Sequence, residues 1–226
     1  MSIFSASSPQ EFIINLCIKL LIIVAILPIH EYAHAVAAKR MGDNTAENFG
    51  RLTLNPLAHI DPIGALFLIL FGFGWAKPVP INARNFENYK KGIALTSLAG
   101  PLSNLICAAI GIFAYRMCLN VYFMTQTEVL EYVCIALEIF SSINLSLCVF
   151  NMIPVHPLDG AKIFSGILPS KVNAYLYKYQ RQIYLVFIVL VFAGAISGPM
   201  GWIINKIFNL FWKLFFWVDY LVAWIF

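Results

Sequence analysis

Charge is scarce in this sequence. Asp, Glu, Lys and Arg together make up 12% of its 226 residues, about half the share found in an ordinary soluble domain. No interval between its apolar runs is long enough to fold as a soluble domain of its own. Cysteine is equally uninformative as chemistry. Cys17, Cys107, Cys118, Cys134 and Cys148 lie in or beside apolar runs, are odd in number and form no CxxC pair. That excludes a disulfide framework and a thiolate zinc site and leaves the five as small core residues. The N-terminal MSIFSASSPQEF carries no basic segment and no small-residue cleavage site, so the first apolar run is expected to be retained rather than removed as a signal peptide. The net charge of +4 is small, and anionic lipid of the inner leaflet accounts for it without a nucleic-acid partner.

What the chain has instead is apolar surface, 61% of all residues. Five blocks stand out, Phe12 to Ile29, Pro62 to Ala76, Gly92 to Tyr115, Val129 to Ile153 and Ile183 to Ile204, and a sixth stretch runs from Ile207 to Phe226. A bilayer core of about 30 Å takes roughly 20 helical residues, so the first, third, fourth and fifth blocks are long enough to span while the second is short. These features predict an all-α fold: a polytopic transmembrane helix bundle of about five to six membrane segments, with a re-entrant loop, immersed in the lipid bilayer.

Basic residues set the orientation. Lys39, Arg40 and Arg51 follow the first block, Lys77, Arg84, Lys90 and Lys91 the second, and Lys162, Lys171, Lys178 and Arg181 the fourth. The loop after the third block instead carries Glu128 and Glu131 against Arg116. The positive-inside rule puts the three basic loops in the cytoplasm. Were the second block to cross the membrane, the basic loops flanking it would face opposite compartments. A segment that dips in and returns keeps them together, provided its backbone is buried in protein or lines a wet cavity.

Local signals add boundaries. A helix from about Phe12 should stop near Met41, Gly42 and Asp43, with Gly42 as its C-terminal cap and Pro28 bending it ahead of His30. The Gly-, Pro- and Asn-rich GFGWAKPVPINARNF (72 to 86) reads as an irregular or edge-strand loop, with Val79 and Ile81 alternating with Pro80 and Asn82. The last stretch spaces Lys206, Asn209 and Lys213 on one helical face, which suits either a sixth span or an amphipathic helix in the interface.

Against this background residues 30 to 34, HEYAH, are conspicuous. Histidines four apart lie one above the other on a helix, so the rings of His30 and His34 can reach one zinc ion. Glu31 projects about 100° round the helix, beside the ion, where it can take a proton from water. Catalytic zinc sites have three protein ligands and an open position, so a third must come from elsewhere. Counting about 1.5 Å per residue from Phe12 places His30 near the cytoplasmic side of the hydrocarbon slab. The far end of the fourth block reaches the same depth and reads NMIPVHPLDG (151 to 160). There Asp159 follows two prolines that break the helix and can turn its carboxylate toward a cation, which makes its charge tolerable.

HEYAH followed by NMIPVHPLDG resembles the site-2 protease family of intramembrane zinc metalloproteases. GRLTLNPLAHIDPIG (50 to 64), WAKPVPIN (75 to 82) and AGPLSN (99 to 104) are similar to the same core, so the likeness covers roughly Phe12 to Leu168. It implies His30, His34 and Asp159 as zinc ligands, Glu31 as catalytic base and Asn151 as the residue that steadies the oxyanion. It also implies that WAKPVPIN is a membrane-re-entrant loop on which an unwound substrate pairs as an added strand. Without a PDZ or CBS domain this would be a minimal member, one membrane-embedded domain over residues 1 to 226, with a core over 12 to 168 and C-terminal helices over 183 to 226. His156 stands where the family often has proline, and a capping or substrate-side role is expected for it.

The reaction implied is hydrolysis of peptide bonds in or near the transmembrane segments of substrate proteins or peptides, which must unwind before attack. The helices from Ile183 onward are candidates for a lateral gate by position. Two other readings compete. A membrane zinc carrier would need further His or acidic ligands along a path, and four histidines with no His-rich loop offer none. A dead relative that only binds membrane proteins sits poorly with an intact Glu31. Gly100, Pro101 and Asn104 are expected to be small or polar contacts between helices, and His59 and Asp61 interface groups.

Overall fold

The computed structural model describes residues 9–64 and 76–225. Most of the described residues are helical, with no strand among them and a single isolated antiparallel bridge between Ile60 and Ala76. The expected re-entrant block falls largely on 65–75, outside the described residues.

The first apolar run forms the N-terminal part of helix α1 (Pro9–Arg40), which continues through Pro28 and carries the HEYAH segment in its last third. It ends as the sequence predicts. Gly42 takes φ +102°, the Asp43 N–H donates to the Ala38 carbonyl, and the Gly42 N–H to that of Lys39. This six-to-one and five-to-two pair satisfies the orphan carbonyls of the last turn and needs a residue free to adopt positive φ.

Beyond the cap, the chain folds back under α1. Asp43, fully buried, accepts from the Thr45 N–H and hydroxyl, from the Asn82 N–H at 2.7 Å and from the Asn85 amide at 2.8 Å. The loop after residue 75 is thereby tied to the end of α1. It is irregular over 77–82, as expected of an irregular or edge segment, extended at Asn82, and closes in a 3₁₀ turn at Ala83–Asn85. Lys77 donates its N–H to the His59 carbonyl and receives Arg51 on its own carbonyl. Val79 and Ile81 pack with Ala35, Ala46 and Leu52, which is the two-residue alternation of a half-buried strand.

Helix α2 (Tyr89–Thr125) starts on Asn88, whose side chain accepts from the Lys91 N–H, and ends at Gln126 in the left-handed region. Helix α3 (Glu128–Asn151) returns antiparallel beside it. Both are long and apolar enough to cross a membrane. Gly111 lets them meet closely, since a Cβ there would lie 2.5 Å from the Ser141 hydroxyl. After the NMIPVHPLDG turn come α4 (Asp159–Ile167), α5 (Ser170–Lys178), α6 (Gln180–Phe192), α7 (Ser197–Leu214) and α8 (Trp217–Ile225). Helices α6 and α7 pass as a membrane segment only together, and they meet at 80°, so they form either a broken span or a re-entrant pair.

The central helix is α2, which contacts α1, α3, α4, α7 and α8. Ile207, Phe208 and Phe211 of α7 cover the buried Ala108, Ile112 and Leu145. Arg116, buried in α2, pairs with Asp219 of α8 and stacks 4.7 Å from the Trp212 ring, while Asn120 also donates to Asp219. The last stretch is therefore not one straight span. It breaks between α7 and α8, and nine residues of α8 rise only about 14 Å, less than half of the bilayer core. Of the C-terminal helices, α7 and α8 are bolted to the bundle, while α6 meets α3 through the Phe187 and Phe150 rings at 5.8 Å.

Burial alone would push the Asp43 carboxyl up, but the hydrogen bonds it accepts from Thr45, Asn82 and Asn85 hold it below its ordinary value of 3.8. Because the native value is the lower one, the stabilisation is complete above pH 3.8 and is lost as pH falls through the native value. Asp43→Asn should abolish that acid dependence and speed hydrogen exchange over 77–85 at neutral pH. Exchange identical to the parent would show that Asp43 does not hold the loop.

Candidate metal centre

The site is assembled from α1, α2 and the turn into α4. His30 and His34, one turn apart on α1, present their Nε2 atoms 3.0 Å from each other. Asp159, at the first position of α4, brings Oδ2 to 3.3 Å from the His30 Nε2 and 3.1 Å from that of His34. All three residues are less than 9% exposed. They form the one group among the described residues whose donor atoms could share a metal ion.

The donor set fits zinc. Ligands about 2.0–2.1 Å from a tetrahedral ion lie roughly 3.3–3.4 Å apart, slightly more than the edges of this triangle. The tautomers fit as well. His30 gives its Nδ1 proton to the Asn104 side-chain oxygen at 2.5 Å, and His34 gives its own to the Thr96 carbonyl at 2.7 Å. Both Nε2 atoms thus turn lone pairs toward the carboxylate. A buried cluster of lone pairs is costly until a cation or a proton sits among them.

The supports behind the imidazoles come from the AGPLSN segment. Asn104, fully buried, receives the His30 proton and donates its amide to Asn144 of α3 at 2.9 Å; Asn144 in turn donates to the Phe140 carbonyl. This chain fixes the ring of His30 from α2 and α3 together. Gly100, one turn earlier on the same face, lies against the rings. A Cβ there would come within 2.3 Å of the His34 Nε2 and 2.6 Å of the His30 Cε1, so a side chain at this position would displace the ligands. Gly160 does the same for the carboxylate. Its missing Cβ leaves room for the Met152 and Ile153 carbonyls of the preceding turn, which folds back and sets Asp159 at the start of α4.

Glu31 is half-buried beside this group, and its Oε2 accepts the Val79 N–H at 3.0 Å. The loop over 76–82 thus holds the glutamate as well as lying across α1. Asn151 closes α3, half-buried, and is not tied into the ligand network. His156 is exposed and lies apart from the three clustered donors. His59 is fully buried, and its Nε2 donates to the Thr53 carbonyl. Asp61 accepts the Gly64 N–H.

Sequence reading gathered the three donors and Glu31 but treated Gly100 and Asn104 as ordinary helix contacts. The available signal was their spacing. A glycine and an asparagine four apart in an apolar helix share a face, and an amide buried there needs a partner. The roles of Thr96 and Val79 fall to their backbone atoms, which no residue type announces.

A model of peptidase family M50 matches residues 121–194. A Bacillus subtilis protein provisionally named zinc metalloprotease YwhC is 40% identical over 179 residues, which is 76% of this chain and 78% of the relative. Proteins provisionally named zinc metalloprotease Rip2 are 27% identical. The one from Mycolicibacterium smegmatis is matched over 76% of this chain and 65% of its own length, and the one from Mycobacterium tuberculosis H37Rv over 82% and 69%. No solved structure matches the chain.

Replacing Asn104 by Leu should leave the helices packed but free the His30 ring, and zinc affinity measured against a competing chelator should fall roughly 10- to 100-fold. An unaltered affinity would show that the asparagine does not orient the ligand.

Proposed function

The chain belongs to peptidase family M50, the site-2 protease family, and from that premise we propose that it is a zinc-dependent endopeptidase cutting peptide bonds within or near the transmembrane segments of other proteins. The observation that carries this reading is the convergence of His30, His34 and Asp159 on one point with Glu31 beside it, in a chain with two helices, α2 and α3, long and apolar enough for a bilayer.

His30, His34 and Asp159 would hold the zinc. When bound, it supplies a Lewis acid that makes water acidic near neutral pH and polarises the peptide carbonyl. Glu31 then acts as base and acid in turn. The Val79 N–H occupies its Oε2, which leaves Oε1 to take the proton of the attacking water and pass it to the leaving amine. Asn151, at the end of α3, would turn its amide to the oxyanion. Neither Lys77 nor Val79 has an N–H to spare, and Pro78 and Pro80 have none. In an extended chain alternate residues point to opposite edges, so the outer edge of this loop would offer the Pro78 and Pro80 carbonyls. An unwound substrate would pair there through its own N–H groups.

We place the chain as a multi-pass protein of the cell membrane with this site open to the cytoplasm. The support is the clustering of basic residues at one end of the spans, Lys39 and Arg40 in the last turn of α1 and Lys90 and Lys91 in the first turn of α2. If a lateral gate admits substrate, the lightly packed α6 suits it better than the bolted α7 and α8.

Glu31→Gln separates chemistry from metal binding. Cleavage of a reporter transmembrane segment by the purified variant should drop by on the order of 10²–10⁴, with zinc content retained. Undiminished cleavage would take Glu31 out of the mechanism.

A further inference from the structure

A cavity of about 790 Å³ lies against the metal centre on the side of the basic loops. Its walls come from the loop at 81–86, the first turns of α2, the turn before Asp159, helices α4 and α5, and the start of α6. Three properties bear on what it takes. It shares a wall with the centre, since Thr96, whose carbonyl holds His34, lines it together with Ser97 and Pro154. Lys90 of α2 and Lys162 of α4 stand in the lining on different elements, and no carboxylate is among the described lining residues. The remaining surface is apolar, with Ile81, Phe86, Phe164 and Leu168 among it.

We propose that this cavity receives the juxtamembrane flank of the substrate and selects for acidic side chains there, Lys90 and Lys162 meeting the carboxylates. This rests on the protease reading above and adds the class of substrate. A peptide flank fits better than an anionic lipid headgroup, because Thr96 puts one wall of the cavity against the metal centre. A polypeptide leading to the scissile bond must pass it; a headgroup held by the two lysines need not. Electrostatic complementarity of this kind selects partners more than it adds raw affinity.

The test uses the full chain in phosphatidylcholine vesicles and two synthetic transmembrane peptides, identical but for four Glu or four Lys in the flank facing the basic loops. Affinity is measured on the Glu31→Gln form, so that it is independent of turnover, and cleavage on the parent. The acidic peptide should bind roughly tenfold more tightly. Lys90→Gln with Lys162→Gln should abolish the difference, and Lys90→Glu with Lys162→Glu should invert it, with zinc content unchanged in both. Equal binding of the two peptides to the Glu31→Gln form with both lysines in place, or a preference that survives Lys90→Glu with Lys162→Glu, overturns the assignment. So does a charge preference that is absent in phosphatidylcholine and arises only with phosphatidylglycerol, which would make the lysines a lipid site. Absence of cleavage with the binding preference intact would strike the protease reading and leave the cavity assignment standing.

Discussion

Two imidazole nitrogens and a carboxylate oxygen, each within 3.3 Å of the others and all buried, turn lone pairs on one another in an apolar interior. That arrangement is stable only around a cation or a proton, and the rest of the architecture serves to keep it. Helix α1 supplies two donors from successive turns, and α4 brings the third to them at its first residue. Helix α2 presses its glycine face against the rings and, with α3, holds one of them through an amide relay. Removing any one of these supports would let the donors drift apart to relieve their repulsion.

The glutamate is held by a different device. Its anchor is a backbone N–H from an extended loop, and that loop is pinned at both ends, by the His59 carbonyl and Arg51 at one and by the buried Asp43 at the other. Alternating prolines keep the outer edge of the same loop free of donors. An edge poor in donors resists pairing with stray strands.

Much of this was legible in the residues. The HEYAH spacing on an apolar helix, the aspartate after two helix-breaking prolines, the Gly42 cap and the alternation of Val79 and Ile81 each express a local rule, and local rules survive folding. The long helices at 89–125 and 128–151 followed from run length alone. Other features were hidden because they depend on what lies across the bundle. Gly100 reads as a contact glycine until the imidazoles are seen 2.3 Å from its missing Cβ, and Thr96 and Val79 act through main-chain atoms. The end of the chain was ambiguous because Arg116 and Asp219, which decide its packing, are about a hundred residues apart. Their pairing, with the aromatic face of α7, folds the last stretch onto α2 where composition suggested a span or an interfacial helix.

The central claim is that two imidazoles and one carboxylate hold a single zinc ion. X-ray absorption at the zinc edge on purified, metal-loaded protein tests it directly. The account predicts one zinc per chain with only nitrogen and oxygen neighbours at about 2.0–2.1 Å, two of them showing the outer-shell scattering of imidazole. Sulfur neighbours near 2.3 Å, a single imidazole, or protein that takes up no zinc would contradict it.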